Sequence, residues 1–585
     1  AVFCGNADNM RDGGLRNTHA SAALPDFSGL TNLRDLTLIF DNAAVTLPSV
    51  AFSRDLSVTS AGFTLGGAIN AGANTVTINT TTLDLGANNL TGGTVTLDHS
   101  GGLTGSGTVT ATTLNLNGLG AVGAGPAGRI ATAAGAISFN KAATAGDSYL
   151  SQTGAVSLSG STAGALDITS TGAITISNLT TNGLTASGSG TFSLSGTFAG
   201  AMSFNNNVTL TGLTTFGGAV TLNNGGTLVF NTGGQTTTFN GAVTLGSDAS
   251  FTNASALTFN GAINGAHALS INSGAGSVAI LGGVGTVTPL TSLSVTGAAS
   301  VIGTINTSGN TQNWGNLTLT GDTTFTDVGD INFNGTVDGD GGGPWTLTAN
   351  TGGNTLFAGA VGNAQILASV TTDAAGTTAI NGGVITTTGA QTFNDAVTLG
   401  ANTALTASTV TFNNTLAGGT NNLDVTGNAV FGNGPVDLVT GLGTLSVSGT
   451  TAIAANVTSA GTQTYSGNVR IDDDAVLTTT DNTISFGGTV NSQAGETNDL
   501  TLNTGTASVS FTGAVGAVDS LDTLTITNTA AGVALPAVTA QTLSISTAGA
   551  ITDNGALTIA GTTTLAAGAA NDITAGMHLA LQVAL

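Results

Sequence analysis

Four aspartates, Asp327, Asp330, Asp338 and Asp340, gather around the run DGDGGG. Carboxylates spaced by flexible glycine are the oxygen donors that a hard cation such as calcium takes. These four are therefore the candidate calcium ligands, against the plainer alternative of a polar loop bulging from the chain. The spacing is not that of an EF-hand, and the nonapeptide of calcium-loaded rolls is repeated nowhere. A second candidate is Arg470 beside Asp472, Asp473 and Asp474, since lyase chemistry on polyuronates needs a basic arginine next to calcium-binding acids. Hydrolases of the polygalacturonase type need paired carboxylates together with Gly-His-Gly and Arg-Ile-Lys segments. None of the histidines fits: His19 lies in THA, His99 in DHS, His267 in AHA and His578 in MHL. Arg470-Ile471-Asp472 begins such a segment and ends in an acid. The expectation is a protein that is not an enzyme and holds no cofactor beyond a possible calcium ion. Patterns such as GxGxxG carry no weight where 89 residues are glycine.

Composition narrows the partners. Charged residues are 6% of the chain, with 7 Lys and Arg against 30 Asp and Glu and a net charge of -23. Nucleic acid and anionic membranes are poor partners for such a surface. Thr, Ser, Asn and Gly interrupt every apolar run, so no transmembrane helix is expected. Cys4 is the only cysteine, which excludes an intrachain disulfide. Phe3 before it argues against a lipoprotein acylation site. No charged-then-apolar leader opens the sequence, so a leader has been removed or the chain is a fragment.

What must position these residues is a repeat. The phrase TTTFNGAV at Thr236 returns as TQNWGN at Thr311, AQTFNDAV at Ala390 and TQTYSGNV at Thr462. Its aromatic falls at Phe239, Trp314, Phe393 and Tyr465, at intervals of 75, 79 and 72 residues. A second phrase, with Phe259, Phe333, Phe412 and Phe486, follows each first one by 19 to 21 residues. A third follows around Ile280, Phe357, Phe431 and Phe511. Each long repeat thus contains about four short ones of roughly 20 residues, a solenoid period.

Within a short unit, apolar and polar residues alternate, as in Leu317, Thr318, Leu319 and Thr320, the period of a strand with one buried face. Helix is nearly excluded, because Glu496 and Lys141 are the only glutamate and lysine. Such units bury their apolar side only when stacked. The predicted fold is all-β, a right-handed parallel β-helix (β-solenoid). With about 20 residues per rung and about 4.8 Å between rungs, it makes roughly 29 rungs and an elongated rod on the order of 140 Å. A β-sandwich array competes poorly, since Trp314 and Trp345 are the only tryptophans available for domain cores. Thr suits outward ladders, and Asn and Gly suit corners that need positive φ. An outward Thr row could also order water as ice-binding surfaces do, but rung lengths varying from about 19 to 25 residues argue against a flat array.

Three regions are expected. Residues 1–60 carry Cys4, Arg11, Arg16, His19, Arg34 and Arg54 and read as an N-terminal cap or assembly segment, with Phe3, Cys4 and Arg11 as possible contacts. Residues 61–234 hold degenerate rungs. Residues 235–585 hold four long repeats and the start of a fifth at Gln541, and the ending MHLALQVAL hints at continuation.

The stretch TDAAGTTAINGGVITTTGAQTFNDAVTLGANTALTASTVTFNNTLAGG, from Thr372, resembles the repeat regions of filamentous haemagglutinin-like adhesins and other giant secreted bacterial β-strand-repeat proteins. The resemblance spans about residues 61 to 580. It implies a right-handed β-helix exported to the cell surface and serving adhesion, biofilm or aggregation. An NPNG-type secretion motif and a terminal membrane barrel, both marks of the family, are missing. The expected function is an extracellular structural solenoid that self-associates into a bacterial surface filament, sheath or matrix. The alternative is an adhesin stalk attaching to a host or matrix glycan or protein, and a remote third is a polysaccharide-active enzyme.

Overall fold

A computed structural model describes residues 12–27, 30, 33–141, 145–252, 255–309, 311–434 and 436–574. The candidate contacts Phe3, Cys4 and Arg11, and His578, lie outside the described residues. Among the described residues every element is a strand, and the strands pair in parallel with partners about 20 residues away. This is the expected β-solenoid. The chain divides into two compact units, Ala1–Gly282 and Gly283–Leu585.

In the first unit parallel pairing starts with Asp12–Asn17 on Asp35–Leu47, and Asp35–Leu47 on Leu56–Leu65. Burial alternates along each strand, as in Thr75–Thr80, where Val76, Ile78 and Thr80 point inward. The aromatic of the repeated phrase is a core residue: Phe216, Phe239 and Phe259 pair in register and stack face to face at 4.7 and 5.0 Å. Each such contact adds about 0.5–1.5 kcal/mol beyond burial.

The glycine two residues after the aromatic, or after Ile280 in its place, has a different purpose from the one expected. Gly218, Gly241, Gly261 and Gly282 lie one rung apart, and none has positive φ. A Cβ on Gly241 would sit 2.2 Å from the Gly218 carbonyl oxygen, and one on Gly261 would sit 2.3 Å from that of Gly241. Close stacking of corner backbone demands glycine here.

In the second unit each rung contributes three short strands, exemplified by Val384–Thr386, Gln391–Phe393 and Ala396–Leu399, which define faces A, B and C. Gln312 belongs to face C, through Ile331, Thr355, Thr378 and Val397. Gln391 lies on face B, and Gln463 is on face A, through Leu445, Leu423 and Thr403, whose neighbour Ala404 pairs with Val384. Leu543 of the fifth copy returns to face C, paired with Leu524. The long repeat therefore falls one face short of four rungs, and successive copies step around the solenoid. The aromatic and its two successors still stack within one face, as in Phe393, Phe412 and Phe431 at 5.4 and 5.8 Å.

One ladder is interrupted. On face A the N–H of Gly487 donates to Tyr465 O and that of Thr512 to Phe486 O. The residue next in this series is Pro536, which has no N–H. Strand Val533–Leu535 accordingly leaves the main sheet and pairs with Ile551–Asp553 instead. A cleft of about 590 Å³ opens beside Phe511 and Pro536.

Candidate functional site

The four aspartates proposed as calcium ligands are each engaged with hydrogen-bond donors. Asp327 is buried, and its Oδ1 accepts the N–H groups of Val328 and Gly329 at 2.7 and 3.2 Å. Asp330 Oδ1 accepts Asn354 N–H, and Asp338 Oδ1 accepts those of Ala364 and Gln365. Asp340 Oδ1 takes Trp345 Nε1–H and Gly342 N–H, both at 2.8 Å, and the indole bond leads in holding its pKa below the usual carboxylate value. Among the described residues no three His, Cys, Asp or Glu side chains come together as a metal-holding group.

This use of acids is general and was not read from the sequence. Asp248 accepts the N–H of Ala268, Asp322 that of Thr346, Asp474 that of Asp499 and Asp499 that of Thr523, all at 2.8–2.9 Å. Asn402, Asn422 and Asn428 do the same for Asn422, Thr444 and Thr450. Each side chain spans one rung and pins the start of the next strand. The available signal was the recurrence of Asp or Asn just before or at a strand start.

Arg470 forks onto Asp472, with Nη2 to Oδ2 at 2.7 Å, and that pairing raises its pKa. Asp473 Oδ1 accepts Asp474 N–H. The three acids thus turn to Arg470 or to backbone, not jointly to one point. Arg470 does stand on the outward surface of face B, in a cleft of about 510 Å³ with Val430, Ala452 and Asn491. Its far wall is the loop bearing Val518 and Asp519, held by Val518 N–H on Asn491 Oδ1 and Ser492 N–H on Asp519 O.

Above this cleft the same outward column is all threonine. Thr304, Thr324, Thr348, Thr371, Thr392 and Thr411 pair one to the next in register. Rung length varies, but the extra residues go into corners and the row stays aligned. Unequal rungs therefore do not break the register of this threonine row. Among the remaining histidines, His19 is exposed, His267 Nδ1 lies 3.7 Å from Asp248 Oδ1, and His99 is buried.

Sequence reasoning also missed a set of buried amides. Gln312 Nε2 donates to Ile305 O, Thr307 Oγ1 and Thr326 O. Gln391 and Gln463 repeat this at Ile385, Thr387 and Thr406 and at Val457, Ser459 and Thr478. Trp314 Nε1–H and Tyr465 O–H donate in turn to the oxygens of Gln312 and Gln463. Phe393 has no donor, and Gln391 Oε1 is left buried without a partner. Asp395, also buried, accepts the hydroxyls of Thr372 and Thr378, and desolvation raises its pKa.

No curated protein and no solved structure matches the chain. Residues 521–575, which include the interrupted ladder at Pro536, match a family described as repeats of unknown function (DUF5649).

Proposed function

We propose that the chain is an extracellular, non-enzymatic structural β-solenoid whose threonine-lined sheet surface associates into a bacterial surface filament, sheath or matrix. The observation that supports this most is the in-register threonine row of face B, a surface of short, uncharged side chains without the long charged groups that usually keep sheet surfaces apart. The net charge of -23 opposes contact between copies, and salt screens that repulsion. Association should therefore increase with ionic strength. Negative-stain microscopy and sedimentation at low and high salt test this. Wild-type protein should form filaments or layers at high salt, and Thr371→Lys with Thr392→Lys should stay dispersed. Single particles at every salt and protein concentration would overturn the reading.

The cleft at Arg470 favours a second reading, an adhesin stalk of the filamentous haemagglutinin-like kind that holds a host or matrix glycan or protein. Binding on a glycan array that disappears in Arg470→Met would move the balance to it. Calcium at Asp327, Asp330, Asp338 and Asp340 has no part in either reading.

A further inference from the structure

The first unit carries an inward polar column that the proposed function does not use. Ser60 pairs with Thr80, and Thr80 with His99. The column continues one residue beyond the pairs Asp98–Asn117, Asn117–Asn140 and Asn140–Ser161, at Gly118, Lys141 and Thr162, and then at Thr181. His99 is 0% and Lys141 3% exposed. At the rung between them the column position is Gly118, which has no side chain and adopts φ +84°.

The two nitrogenous groups meet around Gly120. A Cβ there would lie 1.2 Å from Gly101 O and 2.3 Å from His99 Nδ1, so only glycine lets the chain pass the Gly101 backbone and the imidazole, and Gly120 O is the acceptor for Lys141 Nζ. His99 Nδ1 is 3.0 Å from Gly101 O. A carbonyl only accepts, so Nδ1 carries the hydrogen and Nε2 the lone pair. Nε2 is buried with no hydrogen-bond partner, as is Thr162 Oγ1 on the far side of Lys141. Lys141 and Asp98 are the charged groups that act on the imidazole, and Thr80, Gly118 and Gly120 bring no charge.

We infer that His99 and Lys141 form an acid-operated latch, in which protonation of His99 Nε2 loosens the rungs from Leu90 to Thr162 while the second unit stays closed. A proton on Nε2 creates a buried donor with no acceptor and a second positive charge beside a buried ammonium. Burial first, and Lys141 in addition, hold the imidazole below its usual pKa of 6.5. The neutral form's stability is thus fully present above pH 6.5 and is lost as the pH falls through the lower folded-state value.

Hydrogen exchange of the whole chain at pH 7.5 and 5.5, corrected for intrinsic rates, tests the latch. Protection in Leu90–His99, Thr108–Asn117 and Ile130–Asn140 should fall severalfold, up to about tenfold, relative to the second unit, the ceiling for one linked proton over the one pH unit below 6.5. His99→Gln should abolish the selective fall, and Lys141→Met should reduce it. Equal loss in both units, or an undiminished fall in His99→Gln, would overturn the inference. Should His99→Gln not fold, imidazole NMR of the wild type decides: His99 must stay neutral while these rungs remain protected. Titration of His99 at its ordinary pKa of 6.5 with protection intact would overturn it.

Discussion

In the second unit Gln312, Gln391 and Gln463 bury neutral amides whose nitrogens each reach three acceptors, whereas in the first unit His99 and Lys141 bury titratable nitrogens that reach one carbonyl each. Both sit inside the same kind of parallel solenoid. The difference shows that a buried polar group braces a solenoid when the corner supplies its partners and becomes a point of weakness when it does not. A glutamine at the head of a strand finds two corner carbonyls and a hydroxyl because the chain turns around it. A lysine on the inward column finds one backbone carbonyl, Gly120 O, and its column neighbour toward His99 is Gly118, which offers no side chain.

The sharpest break of this contrast is Gln463→Leu, which removes the donor to three acceptors and strands the Tyr465 hydroxyl. The second unit should lose about 3 kcal/mol in urea unfolding, and Gln391→Leu, whose oxygen has no partner to lose, about 2 kcal/mol. Equal losses would show that the aromatic donor contributes nothing. Asp395→Asn comes next. With its folded pKa raised, Asp395 favours the fold below the carboxyl's usual 3.8 and loses that contribution as the pH rises through the folded value. The asparagine variant should melt a few degrees higher at pH 7, with the gain gone at pH 3. A gain that is independent of pH would point to packing instead. The smallest effect is expected from Phe393→Tyr, which offers Gln391 Oε1 the donor that Tyr465 offers Gln463 at 3.1 Å. The rings stack alike, at 5.4 Å on Phe412 and on Phe486, so the hydroxyl should add about 1 kcal/mol, read in the same urea titration.

Much of the scaffold could be read from residues alone. Alternation in Leu317 to Thr320 and the recurrence of Phe239, Trp314, Phe393 and Tyr465 announce stacked strands with an aromatic interior, because period two and period twenty are properties of the chain itself. The candidate site could be read only in part. Asp327, Asp330, Asp338 and Asp340 stand out as a cluster in sequence, whereas the donors that engage one oxygen of each, backbone N–H groups and the Trp345 indole, several of them a rung away, do not. Gln312 and its counterparts carry no such local signal, since their acceptors come from neighbouring strand ends that only the stacked rungs bring to them.

By itself the sequence determined strand, parallel stacking and the inward set of Phe, Val, Leu and Ile, since these follow from local alternation and from the need of each unit to bury one face. Only the tertiary structure decided that the long repeat steps by one face, that six threonines align despite unequal rungs, and that His99 shares an interior with Lys141. Those outcomes depend on how many residues each corner absorbs, and that sum is set by stacking over many rungs within a unit, not by any one segment.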